Sequence, residues 1–424
     1  MIKCLIFSNF MLPTHKLKME ISGALNQYMN ICRDAFNGYA AKLNKSTKYV
    51  IMETLLLFMV IPRKINFTQL ARYGNRCEQC YRQTFSKEFD WVQYNLNLME
   101  KLFAMNERKA IAIDPSYISK SGKKTPNIGY FWSGVAGAAK RGLEILGIGI
   151  INIDMRDCIM LKAEQTPNAE NLQMMKHTLI DWYLHVIEGM KDRLLTISKY
   201  VVADAYFAKS TFVQGLMNMG FHLVSRLRDD ANLMYIYNGK PTGKRGRPKV
   251  YGEKIDFDNL DYSKMERIET DSEEEELYTL VAYSKAMKRN IRLVIWKNSK
   301  GKHKLYFSTD VSMSGKDVIE FYRTRFQIEF CFRDAKQYTG LYHSQAREER
   351  KLDFAFNASF TAINAAKIMM KQYDVPFSVE SLKSLIFNSY LLDRFFKLSG
   401  TRPNKKINAK LVKEFIDIAA YRAA

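Results

Sequence analysis

Three acidic residues stand where strand ends and a helix could bring carboxylates together. Asp114 closes the short β-type run Lys109-Ala-Ile-Ala-Ile-Asp114, Asp204 closes a second run, Ile197-Ser-Lys-Tyr-Val-Val-Ala-Asp204, and Glu329 lies in a helical pattern over 318–336. Loops at the carboxyl ends of strands build active sites in α/β sheets. Two aspartates and a helical glutamate there would make a hard-oxygen cage for Mg²⁺ or Mn²⁺. A pair of such ions about 3.5 to 4 Å apart can activate an attacking oxygen and stabilise a leaving one in phosphodiester chemistry. The chain has 44 acidic residues, so spacing by itself allows many other triples.

The helical pattern narrows the choice. Placed on a wheel, Tyr322, Arg325, Glu329 and Lys336 share an arc of roughly 60°, with Arg333 beside them. Phe321, Ile328, Phe332 and Ala335 flank this charged stripe on one side, and Phe326 and Phe330 flank it on the other. An ordinary surface helix has one apolar stripe and one polar face, whereas a carboxylate and cations between two apolar stripes suit a cleft. A salt-bridged surface helix with Arg325 and Glu329 as an i,i+4 pair is the plainer alternative. Tyr322 to Lys336 spans about 21 Å at 1.5 Å per residue. That is too long for one small substrate, but it fits a nucleic-acid backbone meeting Arg325 and Lys336 at separate phosphates.

Charge agrees with a polyanionic partner. Over 424 residues, 65 Lys+Arg against 44 Asp+Glu leave a net charge of +21, which makes a neutral small-metabolite enzyme the weaker expectation. The longest apolar stretch, Leu55 to Pro62, is far short of the roughly 18–20 residues that span a bilayer. No membrane partner is therefore expected. No export signal is read, six scattered cysteines fit a reduced compartment, and a cytoplasmic, nucleoid-associated location is expected. Walker-type loops are absent, so no nucleotide cofactor is expected. Further cations available to a DNA backbone are Lys120, Lys123 and Lys124 in the loop after Asp114. Arg247 lies within a Gly-Arg-Pro sequence at 246–248 suited to a minor groove, flanked by Lys244, Arg245 and Lys249.

The elements that would position these residues follow from periodicity. Residues 1–105 read as helices, with a possible DNA-reading helix-turn-helix at 66–85. Its Cys77 and Cys80 read as packing residues rather than half a zinc site. From 106 to 228, strands near 109–114, 129–137, 143–154 and 197–204 surround a helical stretch at 169–194 and describe a mixed α/β layer. Residues 229–300 read as a β-rich insertion with a basic loop. The core resumes over 301–345 with the charged helix, and 346–424 returns to helices suited to dimer contact.

The spacing Tyr322-x2-Arg325-x3-Glu329-x6-Lys336 resembles the Y-R-E-K signature of bacterial cut-and-paste transposases of the insertion sequence 4 family. Asp114-Pro-Ser116, Asp204-Ala-Tyr-Phe207, Ser225-Arg-Leu-Arg228, Phe356-Asn-Ala358 and Asn364-Ala-Ala-Lys367 are similar to other blocks of that family, over about residues 106–370. Ala205 departs from it, standing where glycine is expected. The resemblance implies an RNase H-like core interrupted by a β-rich insertion. It implies metal-dependent hydrolysis at inverted-repeat ends, then attack of the freed 3′-hydroxyl on target DNA. Asp114, Asp204 and Glu329 would hold two Mg²⁺ or Mn²⁺ ions, and Tyr322, Arg325 and Lys336 would bind end DNA. Joining two ends implies a homodimer. A Trp in or after the insertion assists a hairpin route in some relatives, and Trp296 stands there by location. A non-catalytic, sequence-specific DNA-binding regulator is the alternative; it accounts for the charge but leaves the strand-terminal aspartates without a role.

Overall fold

The computed structural model describes residues 23–40, 42–237, 239, 251–270, 275–372, 378–400 and 409–419. Five helices lead the chain: α1 (Gly23–Asp34), α2 (Lys45–Val60), α3 (Phe67–Tyr73), α4 (Glu78–Phe85) and α5 (Trp91–Leu102). Three of them start where short polar side chains can cap. Asn44, Asn66 and Asp90 accept hydrogen bonds from the backbone of Thr47, Gln69 and Gln93, satisfying donors that a helix leaves open.

The sheet begins with β1 (Lys109–Ser119), β2 (Gly129–Ser133), β3 (Ala138–Asn152) and β4 (Asp157–Gln165). Next come α6 (Ala169–Met174), α7 (Leu179–Glu188), α8 (Lys191–Leu195), β5 (Tyr200–Val202), α9 (Ser210–Asn218) and β6 (His222–Leu227). β1 and β3 are antiparallel, with Lys109 opposite Asn152 and Ser119 opposite Gly142. β5 runs parallel to β1 and to β6. Its Val201, Val202 and the following Ala203 have no exposed surface, as a strand covered on both faces requires. The order β4-β3-β1-β5-β6, three antiparallel strands followed by two parallel ones, is an RNase H-like mixed sheet.

Beyond β6 come β7 (Leu233–Ile236), β8 (Tyr251–Lys254), β9 (Glu266–Ile268), β10 (Glu275–Ser284), β11 (Arg289–Asn298) and β12 (His303–Ser308). They continue the same sheet, because β12 returns to pair with β6, placing Leu305 opposite Leu227. The chain closes with α10 (Gly315–Thr324), α11 (Gln327–Tyr338), α12 (Glu349–Gln372), α13 (Val379–Ser399) and α14 (Ala409–Asp417). No helix among the described residues is long and apolar enough to cross a membrane.

Two sequence expectations are corrected. The strand at 109–114 does not end at Asp114: the β1–β3 ladder carries it on to Ser119, and only the parallel pairing with β5, at Ile111 and Ala112, stops before Asp114. The single helix expected over 318–336 is two. Thr324 Oγ1 donates to the Glu320 carbonyl (2.8 Å), a back-bond that bends helices. The joint at Arg325 and Phe326 runs through tighter three-residue bonds from Arg325 N to Tyr322 O and from Ile328 N to Arg325 O. The two pieces then pack on different strands, α10 on β6, β11 and β12, and α11 on β1, β3 and β4. Sequence reading also passed over β4, whose burial alternates at its end.

Candidate active site

The joint between α10 and α11 lies over β1 and sets two of the three expected carboxylates, Asp114 and Glu329, on one guanidinium, with Asp204 near enough to act on Asp114 electrostatically. Asp114 projects from β1 just past its parallel pairing. Arg325 Nη1 stands 3.7 Å from Asp114 Oδ1, while Arg325 Nη2 stands 2.6 Å from Glu329 Oε1. One guanidinium thus sits between two carboxylates. The break in the helix sets this arrangement, because Arg325 occupies the joint and Glu329 the first turn of α11.

Asp204 closes the set from the next strand. It caps a short turn after β5, accepting from Tyr206 N (3.0 Å), and Ser225 of β6 donates to its carbonyl (2.8 Å). Close approach of α11 to the sheet depends on Gly147, which faces Asp114 in the β1–β3 register. A Cβ there would stand 2.5 Å from the Phe332 ring, so a side chain would push α11, and Glu329 with it, away from β1.

The electrostatics are those of crowded acids out of water. Burial pushes the Asp114 carboxyl up to about 7, against the pull of Arg325 and with added repulsion from Glu329 and Asp204. Burial also raises Asp204, opposed by Arg325. Lys336 donates to Ser116 Oγ at 2.9 Å, and burial lowers its ammonium while Asp114 draws it back up. Three carboxylates therefore face two cations. Arg325 Nε is buried and has no hydrogen-bond partner among the described residues. Oxygen donors of this kind suit a hard divalent cation. As placed, no group of three His, Cys, Asp or Glu among the described residues is close enough to hold one ion, since the guanidinium lies between the acids.

The remaining expected residues fall into different surroundings. Tyr322 is half-buried against Tyr306 (4.9 Å between rings) and under Arg325. Arg333 pairs with Asp334 at 3.0 Å and lies over the Phe330 ring. Of the two stripes expected to flank the charged face, Phe321, Ile328, Phe332 and Ala335 are core, while Phe326 is exposed and packs edge-on against Phe330. Lys120, Lys123 and Lys124 line an open cleft of about 1220 Å³ next to the site. Lys120 donates to the carbonyls of Tyr342 (2.8 Å) and Ser344; burial, with Lys64 nearby, lowers it to about 8. Arg245 and Arg247 lie outside the described residues. Trp296 is held in β11, donating to Glu275 with Lys304 over its ring.

Sequence reading missed the other cations of the cleft, Lys64, Lys140, Arg141 and Arg347. They come from three separate stretches, and no local pattern links them. Arg226 of β6 entered the sequence reading only within the block Ser225-Arg-Leu-Arg228; its charge also acts on Tyr322.

Residues 176–365 match the family model described as a transposase DDE domain. The match takes in Asp204 and Glu329 and begins after Asp114, which the Arg325 contact ties to the same centre. None of the curated proteins searched matches the chain. The family match supports a DDE transposase, a class of DNA-cleaving enzymes that use divalent metal ions.

Proposed function

We propose that this protein is a cut-and-paste DNA transposase of the insertion sequence 4 type, acting on the inverted-repeat ends of its own element. The observation that supports the reading is the placement of Asp114 and Glu329 on Arg325 at the α10–α11 joint, with Asp204 close enough to repel Asp114. The three carboxylates are the groups that would hold Mg²⁺ or Mn²⁺, and two bound ions would supply activation of the attacking oxygen and stabilisation of the leaving one.

The chain's own residues supply the rest. Arg325 neutralises the crowded acids, and its forked guanidinium would suit a phosphate if the carboxylates held cations instead. Lys336 is anchored by Ser116 at the edge of the same centre and meets the neighbouring phosphate. Tyr322, beside Arg325, packs against the sugar-phosphate backbone of the end. The helical hairpin α3–α4 is held to α2 through buried Glu53, which accepts from Tyr81 Oη (2.7 Å) and from Asn75; we assign it to recognition of the terminal repeat. Phe395 and Leu398 of α13 with Leu411 and Phe415 of α14 are exposed. They lie at helical spacing and offer the surface for the homodimer that joins two ends.

The test is strand cleavage. Purified protein with a duplex carrying the element's end and Mg²⁺ or Mn²⁺ is expected to nick at the end and, with target DNA, to join the 3′-hydroxyl to it. Tight sequence-specific binding with no cleavage under either metal would instead establish the non-catalytic regulator.

A further inference from the structure

The cleft beside the carboxylate centre carries aromatic side chains that phosphodiester cleavage does not call for. Tyr130 and Trp132 stand two positions apart on β2, so they share one face of the β2–β3 hairpin, in register with Arg141 and Ala139. Phe131 between them is buried and anchors the strand, whereas Tyr130 is 76% exposed and Trp132 64% exposed. Tyr130 lines the cleft together with Lys64, Lys140, Arg141 and Arg347 and the three loop lysines. None of the described residues lining it is acidic.

This charge pattern specifies a polyanion, and the rings specify its form. Paired bases in a duplex stack on one another and hide their faces, whereas an unpaired base can stack on an exposed aromatic ring. Position also fits. The cleft touches β1 at Tyr117 and Ser119, about 10 to 16 Å along the strand from Asp114 at 3.3 Å per residue. A DNA strand cut at the carboxylates would therefore reach the cleft within a few nucleotides. We propose that the β2–β3 hairpin and its cleft bind an unpaired DNA strand, with phosphates on Lys123, Lys140 and Arg141 and bases stacked on Tyr130 and Trp132. The inference rests on the reading of the protein as a DNA-processing enzyme, but it requires no catalysis.

The experiment measures binding of the full-length protein, without added metal, to a fluorescent thymidine oligonucleotide and to a matched duplex of equal length across a salt series. Replacing Tyr130 and Trp132 together by Ala is expected to weaken single-strand binding about 10- to 100-fold. The loss on the matched duplex should be at least tenfold smaller, and the salt slope should not change. Replacing Lys140 and Arg141 by Ala should lower the single-strand salt slope by about 0.7 per cation. An independent readout is the intrinsic fluorescence of Trp132: the oligonucleotide should quench wild-type emission, and Trp132→Phe should remove that component. Equal losses on both DNAs, or single-strand binding that survives in a variant melting at the wild-type temperature, would overturn the proposal. So would quenching unchanged in Trp132→Phe. Failure of end cleavage with single-strand binding intact would count against the transposase reading alone.

Discussion

Two polar clusters are buried against the same antiparallel strands, and they are satisfied in opposite ways. Under α12, Asn364 and Asn357 cover the free edge of β4. Asn364 accepts from Met160 N and donates to Met160 O and Asn95 Oδ1, while Asn357 accepts from Ala163 N and donates to Ala163 O. Each amide replaces a missing neighbouring strand, so the exposed edge is closed with matched neutral groups. One charge pair there is matched as well: Lys367 meets Asp157 at 2.6 Å and the Cys158 carbonyl at 2.7 Å, although Asp353, which also accepts from Asn357, is left with Glu164 as a like-charged neighbour. At the α10–α11 joint, by contrast, three acids face two cations, the Arg325 Nε finds no partner among the described residues and the Asp114 carboxyl is driven up to about 7. A cluster built for stability closes its hydrogen bonds, whereas one that leaves like charges crowded together is spending stability on a ligand.

The contrast can be broken experimentally. Its strongest consequence is that Glu329→Gln or Asp114→Asn should lower end cleavage by on the order of 10³-fold, the scale of removing a central electrostatic group, while leaving the melting temperature unchanged or raised because buried repulsion is relieved. A variant that both unfolded and lost activity would erase the distinction. Next, Asn364→Ala should destabilise the protein by about 3 kcal/mol, because it leaves Met160 and Asn95 groups buried without partners; denaturant unfolding measures this. A wild-type midpoint would show that the β4 edge is held some other way.

A smaller effect comes from Asp353, whose carboxyl burial pushes up to about 7, with Glu164 adding repulsion and Lys162 opposing. The folded chain keeps a proton that the unfolded chain releases near pH 4, so stability falls as pH rises from about 4 to 7 and the cost is fully present above 7. Asp353→Asn should therefore be about 1 to 2 kcal/mol more stable than wild type at pH 8, with the difference gone at pH 4; paired thermal melts at the two pH values would check it. The smallest expected change is in Lys336→Ala, which should weaken end binding about fivefold and reduce the salt slope by about 0.9. A larger loss in 50 mM than in 200 mM salt would identify a phosphate contact.

The legible part of the site was its helix. The spacing of Tyr322, Arg325, Glu329 and Lys336 is local, and helical periodicity still sets Glu329 and Lys336 on one face of α11 and Tyr322 beside Arg325 at the end of α10. Asp204 was legible from the apolar run before it, although the strand itself ends at Val202, two residues short of it. What escaped was whatever depends on partners distant in the chain. β1 was read five residues short, because the ladder that extends it comes from β3. The helix break was not read either, since Thr324 is unremarkable until its back-bond and the diverging packing of α10 and α11 are seen. The role of Gly147 needed the Phe332 ring above it.

The sequence by itself pointed to a polyanionic partner through a net charge of +21, determined the α/β character through its periodicities, and marked which acids were worth watching through their place after apolar runs. Only the tertiary structure decided that Asp114, outside the family match, shares a guanidinium with Glu329, and that basic residues from four stretches line one cleft with Tyr130. The reason is physical. Periodicity and charge are properties of neighbouring residues or of the whole chain, whereas burial, and the pKa shifts and unpaired groups that follow from it, exists only once strands and helices far apart in sequence have packed together.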